Sequence, residues 1–507
     1  MILLTWSMKS AKKWQIWLLK VIKKYMTKTK TQIKTRFAPS PTGAPHVGNI
    51  RTALFEWLFA RANKGAFLLR VEDTDQSRAI EGSVEQILKA LDWLGIDIDE
   101  GVIAHDKDKG SEKPYFQSKR LDIYREHAQK LLDKGHAFYC FCSEERLREM
   151  REDQQKAKLP PKYDGFCLEL SKDEVDEKLK NGEKYVIRMK IPEDGATSFQ
   201  DAIKGHLVIQ NKTIDCQVLI KSDKFPTYHL ASVVDDHLME ITHVIRADEW
   251  LSSTPKHVLL YKYFGWDEPI WVHLPIILGT DKSKLSKRHG AVSVMEYREQ
   301  GYLPEAMINF LALLGWNPKT DQEILSVDEI IAQFDIKKIN KNNPIFDVTK
   351  LNWMNNQYIQ KKSVDELACL IDSVHDRNDI IFKKAIALVQ DRLEKLSDFD
   401  DLTLFLWKLP EYSADILVPK ELDKPKTKRM LEIALGKIEK EDQFNEKDLR
   451  ETFLEYCEHE KLKRGDFLWP LRVAITGMKN SPEVFAVMDI LGKDESTERV
   501  KEGIGKL

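Results

Sequence analysis

The spacing of apolar positions changes period along the chain, and each change marks a change of element. Residues 33–37 read as a short strand. Ile50, Leu54, Trp57, Leu58 and Arg61 then recur at helical spacing as far as a stop at Gly65, and the run from Phe67 to Val71 has strand length. A strand, helix, strand unit with a Pro- and Gly-rich loop after its first strand predicts the nucleotide-binding half of a doubly wound parallel sheet, in an α/β protein. Glu72 and Asp73 follow the second strand and so fall on the rim where such sheets bind ligands. The pattern is interrupted over residues 113–217 by a cysteine cluster, a Pro160-Pro161 break and strand-like runs at 185–191 and 206–209, which predicts an inserted α+β domain. Val218–Ile220 and the segment from Tyr228 to His237 are expected to return to the main sheet, and from about residue 366 the pattern is helical. The expected segments are a basic extension (1–33), the two halves of the sheet domain (34–112 and 218–243), the insertion (113–217), a region with a basic loop (244–365) and a helical C-terminal region (366–507).

A chain of 507 residues exceeds one hydrophobic core, which agrees with several domains. With 42% hydrophobic and 32% charged residues and no apolar run of bilayer length, the composition excludes a disordered protein and a helical membrane protein. A net charge of −2 makes any polyanion binding local, and the basic stretches at 282–288 and 420–440 are the candidate contacts. The second of these reads equally as a solvated helix face. Six cysteines without a regular framework fit a reducing cytoplasm. The first 34 residues hold nine lysines and no acid, with Trp14, Leu18, Val21, Ile22 and Tyr25 at helical spacing. That pattern fits a surface-binding or targeting helix, or a translation start placed upstream of the true one, since Met26 precedes the first predicted strand.

Two short segments carry the candidate chemistry. Pro41-Thr-Gly-Ala-Pro-His46-Val-Gly48-Asn49 is a rigid turn that opens a helix, where an imidazole and free backbone N–H groups can meet phosphates. Lys284-Leu-Ser286-Lys287-Arg288 adds three cations on a loop between Gly279 and Gly290. Taken alone, His46 is as well explained as a capping or core histidine and the lysines as an exposed charge run.

Together and in this order, these segments resemble the signature elements of class I aminoacyl-tRNA synthetases. Arg36-Phe-Ala-Pro-Ser40-Pro-Thr-Gly43, Arg70-Val-Glu72-Asp73-Thr-Asp75, Pro226-Thr-Tyr228-His-Leu-Ala-Ser232-Val-Val-Asp235-Asp236-His237 and Val244-Ile-Arg246-Ala-Asp-Glu249-Trp250 narrow the resemblance to the bacterial-type glutamyl-tRNA synthetase family. The resemblance runs from about Thr35 to the C-terminus and is densest in the first 300 residues. It implies a Rossmann-like catalytic domain, an insertion that grips the tRNA acceptor end, a stem-contacting region around the basic loop and a helical anticodon-binding region. The implied reaction activates L-glutamate with ATP and Mg²⁺ and transfers it to tRNA(Glu), leaving tRNA(Gln) open as a second acceptor; the implied enzyme is a cytoplasmic monomer that binds no membrane.

By the same resemblance, His46, Lys284 and Lys287 are catalytic, and Gly48, Asn49, Glu249, Ser286 and Arg288 complete the ATP site. Asn49 stands where many class I enzymes have a second histidine. Arg36 with Tyr228 would read the side-chain carboxylate of glutamate, Arg246 the α-carboxylate, and Ser40 with Glu72 the ammonium, while Ser232 stands where a water-contacting Asn is common. Cys140, Cys142, Cys167 and Glu169 resemble the zinc element of some family members with Glu169 in place of a histidine, so a structural Zn²⁺ and a metal-free loop are both open. An inactive tRNA-binding paralogue would be expected to have lost His46 or the loop lysines. A relative that glutamylates a modified tRNA base resembles only the catalytic half, and glutaminyl-type relatives have a β-barrel anticodon region.

Overall fold

The computed structural model describes residues 32–286, 293–376 and 379–507. The basic extension up to residue 31, together with Lys287 and Arg288, lies outside the described residues. The chain forms two compact units, one of residues up to 294 with 311–346, the other of 295–310 with 347–507.

The first unit is built on strands β1 (Lys34–Phe37), β2 (Ala66–Leu69) and β3 (Glu100–Ala104), which pair in parallel, with β4 (Lys107–Lys109) antiparallel at the edge. Every residue of β2 is buried, which is why it reads as an unbroken apolar run: a parallel strand covered on both faces has no polar side to show. Helix α1 (Val47–Ala62) connects β1 to β2. Its residues 53–60 are all buried, so it is a core helix rather than the amphipathic one that its spacing suggests.

A second parallel set joins β10 (His243–Ala247) to β11 (Ile270–Leu274), and β11 to the hairpin β7 (Ala196–Asp201) and β8 (Gly205–Gln210). The two sets meet edge to edge where the Thr242 N–H donates to the Lys34 carbonyl, 3.0 Å away. The strand order therefore reverses between β1 and β10, and the carboxyl ends of both strands open on one crevice, the place where doubly wound sheets bind ligands. Helices α2 (Tyr228–Leu238) and α3 (Thr254–Phe264) flank β10 in sequence.

Two segments pair differently from the sequence expectation. Strand β9 (Val218–Ile220), expected in the main sheet, pairs antiparallel with β6 (Val186–Met189), which pairs in turn with β5 (Ala137–Cys140) in a separate three-stranded sheet. The β7–β8 hairpin, placed with the insertion, instead extends the parallel set through Trp271 and Asp201. Short apolar runs state that a strand forms but not which edge receives it. The segment from Tyr228 is helical.

The second unit contains no strand among its described residues. Its longer helices include Lys424–Lys440, Glu446–His459, Arg464–Thr476 and Val484–Lys506. Arg499 is buried and donates to the carbonyls of Phe405 and Ile475, at the ends of two helices, so its guanidinium satisfies acceptors that a helix terminus leaves unpaired. No helix among the described residues is long and apolar enough to cross a membrane.

Gly101 is the tightest point beside the crevice. It sits in β3 opposite Leu69 with φ +114°, and a Cβ there would stand 2.0 Å from the Leu69 carbonyl oxygen. Gly101→Ala should therefore lower stability by about 2–4 kcal/mol, read as a reduced midpoint in thermal or urea unfolding; an unchanged midpoint would show that β2 and β3 can separate without cost.

Candidate active site

Proline and glycine turns bring the chain from β1 to α1, and His46 becomes the N-cap of that helix, with its Nδ1 accepting from the Gly48 N–H at 3.0 Å. The tautomer follows, because an accepting Nδ1 leaves the proton on Nε2, free to be donated. Burial, with the Lys284 ammonium nearby, holds the imidazole below its usual pKa and so neutral at physiological pH. Gly48 keeps this turn open, since a Cβ there would come within 3.3 Å of the His46 ring. The cap and the candidate phosphate ligand are thus the same residue.

His46, Gly48, Asn49, Glu249, Lys284 and Ser286 all line one cavity of about 410 Å³. The Lys284 ammonium meets the Glu249 carboxylate at 2.5 Å, and both side chains remain largely exposed. A second cavity of about 640 Å³ is lined by Arg36, Ser40, Glu72, Tyr228 and Arg246. Asn49, Thr52, Ala247 and Glu249 line both, so the two spaces adjoin at the rim formed by the ends of β1 and β10. Ser232 is buried one turn further along α2 and lines neither cavity.

The larger cavity is charged in an uneven way. Arg36 donates to Asp236 at 3.0 Å and to Glu56 at 3.4 Å, while Arg70 lies between Asp236 at 2.8 Å and Glu72 at 3.2 Å. All five side chains are buried, unlike ordinary surface ion pairs. Burial pushes Glu72 up to about 7, against the pull of Arg70 and Arg36. Arg246 is different: it donates to Tyr228 Oη at 3.0 Å, His257 Nδ1 at 3.2 Å, His273 Nε2 at 3.1 Å and Thr254 Oγ1 at 2.9 Å, and meets no carboxylate among the described residues.

A family model described as "tRNA synthetases class I (E and Q), catalytic domain" matches residues 32–353, and one for an anticodon binding domain matches residues 357–504. A glutamate–tRNA ligase of Alkaliphilus metalliredigens is 45% identical over 491 residues, covering 92% of this chain and 98% of the relative. One from Clostridium tetani is 46% identical over 482 residues, covering 94% and 98%. The crystal structure of a glutamate–tRNA ligase from Elizabethkingia meningosepticum in complex with its amino acid superposes with a TM-score of 0.86 at 35% identity, over 94% of this chain and all of that one. The chain belongs to the class I glutamate–tRNA ligases.

Within this glutamate–tRNA ligase fold, the residues that sequence reasoning passed over are the ones that hold the others. Asp236 and Arg70 lie inside the recognised segments but had no role there, because a motif states residue types and not partners. Glu56 on α1, Thr254 and His257 on α3, and His273 on β11 lie outside the recognised segments and carry no local signal.

The thiol cluster departs from expectation in one ligand. Cys140, Cys142 and Cys167 place their sulfurs within 4.8 Å of one another, which can hold a metal ion, and Glu169 is not part of that group. Cys167 lies in the 3₁₀ turn Phe166–Leu168 and turns inward, while Glu169, which caps the end of that turn, is exposed. The Tyr163 hydroxyl stands in its stead, 3.5 Å from the sulfurs of Cys140 and Cys142.

The double duty of His46 separates stability from catalysis. His46→Asn keeps a side-chain cap and should unfold within about 1 kcal/mol of the parent, yet lose aminoacylation rate, whereas His46→Ala should lose about 1 kcal/mol of stability as well. Equal activity of His46→Asn and the parent would leave the imidazole as a cap alone.

Proposed function

We propose that the two adjoining cavities carry the two substrates of the first half-reaction, ATP in the one lined by His46 and Lys284 and L-glutamate in the one lined by Arg36, Tyr228 and Arg246. The observation that carries this reading is that one cavity holds both an Arg246 guanidinium that meets no carboxylate among the described residues and a buried carboxylate, Glu72, a combination complementary to an amino acid. A carboxylate oxygen of glutamate attacks the α-phosphorus of ATP, the bond to the bridging oxygen breaks and pyrophosphate leaves. A tRNA 3′-terminal hydroxyl then attacks the acyl carbon, and AMP leaves with the glutamyl group transferred to tRNA(Glu).

An α-carboxylate with a pKa near roughly 3.5 is already ionised at neutral pH, so activation needs alignment and charge neutralisation rather than a general base. The neutral His46 supplies an Nε2–H donor to a phosphate oxygen, and Lys284 supplies positive charge, moving from Glu249 to the phosphates as ATP enters. Lys287 and Arg288 would add charge from the same loop, and Ser286 and Asn49 would offer polar contacts. Mg²⁺ would arrive with ATP. Arg36 and Tyr228 face the side-chain carboxylate, and Ser40 and Glu72 face the ammonium. Charging separate tRNA(Glu) and tRNA(Gln) transcripts with labelled glutamate tests the acceptor: product on tRNA(Glu) supports the reading, and product on neither overturns it.

The same reading makes glutamate binding pH-dependent. Glu72 holds an ammonium only when ionised, and with its pKa raised to about 7 the KM for glutamate should climb as the pH falls through that value. The stability sign is opposite: a raised pKa favours the folded state at low pH, and this contribution is lost as the pH rises through about 7. In Glu72→Gln the pH dependence of KM should disappear while KM itself rises; a parent-like slope would remove Glu72 from the role.

Cys140, Cys142 and Cys167 fit a structural Zn²⁺, with the Tyr163 oxygen as the fourth donor, because zinc accepts sulfur and oxygen in a tetrahedral set. The metal would tie β5 to the turn at 166–168. Metal analysis of the purified chain should find about one zinc per molecule, falling in Cys167→Ser but not in Glu169→Ala; no zinc in the parent would mean that the trio packs as thiols.

A further inference from the structure

Arg246 has five N–H bonds, and the structure accounts for four of them. Its Nε–H goes to His273 Nε2, its two Nη1–H to Tyr228 Oη and His257 Nδ1, and one Nη2–H to Thr254 Oγ1. Every acceptor is uncharged. His257 and His273 are 1% and 0% exposed, so neither can be replaced by water in this task.

The tautomers that make this possible are fixed from behind. His273 Nδ1 lies 2.6 Å from the Asp201 carboxylate, which puts the proton on Nδ1 and turns the Nε2 lone pair to Arg246. Asp201 is itself held by the backbone N–H groups of Ile203, Lys204 and His273. His257 Nδ1 accepts from Arg246, so its proton sits on Nε2, 3.1 Å from Nδ1 of His229. Burial and the arginine charge keep both imidazoles below their usual pKa, in agreement with the neutral forms that the geometry requires.

Arg36 shows what the alternative looks like, since two carboxylates already pair it. We propose that His257 and His273, with Asp201 behind His273, are positioning residues that aim the Arg246 guanidinium into the cavity through neutral acceptors and so keep its charge for the substrate's carboxylate. The inference rests on Arg246 as the residue that binds that carboxylate. Neutral acceptors fix the direction of the fork without competing for its charge, whereas a carboxylate in either histidine position would fix it equally well and cancel what the ligand needs.

The test is steady-state aminoacylation by the full chain, with KM for glutamate and for ATP measured separately and thermal unfolding followed alongside. His257→Leu removes the acceptor and should raise the glutamate KM by roughly tenfold. His257→Asn restores a neutral acceptor and should recover to within about threefold of the parent, while the near-isosteric His257→Asp should raise the glutamate KM by roughly a hundredfold with the ATP KM unchanged. His273→Gln and His273→Glu repeat the comparison from the other side of the guanidinium. Equal glutamate KM values for the neutral and charged members of either pair would overturn the proposal, as would an equal rise in the KM for ATP. If the charged variants do not fold, rescue of His257→Leu by asparagine decides, and no rescue counts against the proposal. Arg246→Gln serves as the reference. An unchanged glutamate KM there overturns the reading of Arg246 itself, whereas a raised one combined with equal His257→Asn and His257→Asp values overturns only the positioning role.

Discussion

The site depends on one buried carboxylate. Asp236 projects from α2 between two guanidiniums, Arg36 at the end of β1 and Arg70 just beyond β2, and so ties a helix to two neighbouring strand ends at the mouth of the crevice. Moving these charges out of water is expensive, and breaking such a pair generally costs about 3–5 kcal/mol because the surviving ion has no partner. The adjacent Asp235 also comes within 3.8 Å of Arg70 Nε, and it receives hydrogen bonds from Arg120, Gln117 and Tyr124. Neighbours on a helix are about 100° apart, so two consecutive aspartates share Arg70 but take their other partners from different parts of the fold.

This arrangement grades the charge around the larger cavity. Arg36, which lines it, is matched by Asp236 and Glu56, and Glu72, which also lines it, is matched by the buried Arg70. Arg246 keeps its full charge. The difference bears on selection: a matched arginine offers geometry and an unmatched one offers electrostatic attraction, and glutamate held there as proposed would meet both kinds. Rejecting a neutral side chain then follows from leaving polar groups unpaired rather than from a steric block.

Much of the architecture was legible in the sequence because it is local. Gly65 stops α1, the apolar run after it has strand length, and helical spacing persists through the C-terminal region; each is a property of neighbours along the chain. The destinations of β7, β8 and β9 were not legible, since three to six residues of strand carry no record of the edge they join. For the site, recognised segments located both cavities through His46, Lys284, Arg36, Tyr228 and Arg246. Those segments could not separate a spent arginine from an available one, because Glu56, His257 and His273 reach them from other elements. Glu169 misled for a related reason: its spacing from Cys167 suits a ligand pair on an extended chain, and the chain there makes a turn.

Helix α1 begins at His46, in the smaller cavity, and presents Glu56 to the larger one. At a rise of about 1.5 Å per residue these points lie roughly 15 Å apart along a rod. The rod is pinned midway by Arg51, which is buried and donates to the carbonyls of Pro275 and Leu314. The helix thus acts as a ruler between the two cavities, with an origin at its cap and a clamp at its centre. Adding or removing one residue would turn everything beyond the change by about 100° and take Glu56 away from Arg36. A change of length along this stretch would break the register between the two cavities, whereas an exchange of side chains at constant length keeps it, so a change of length is accommodated more readily in the loops.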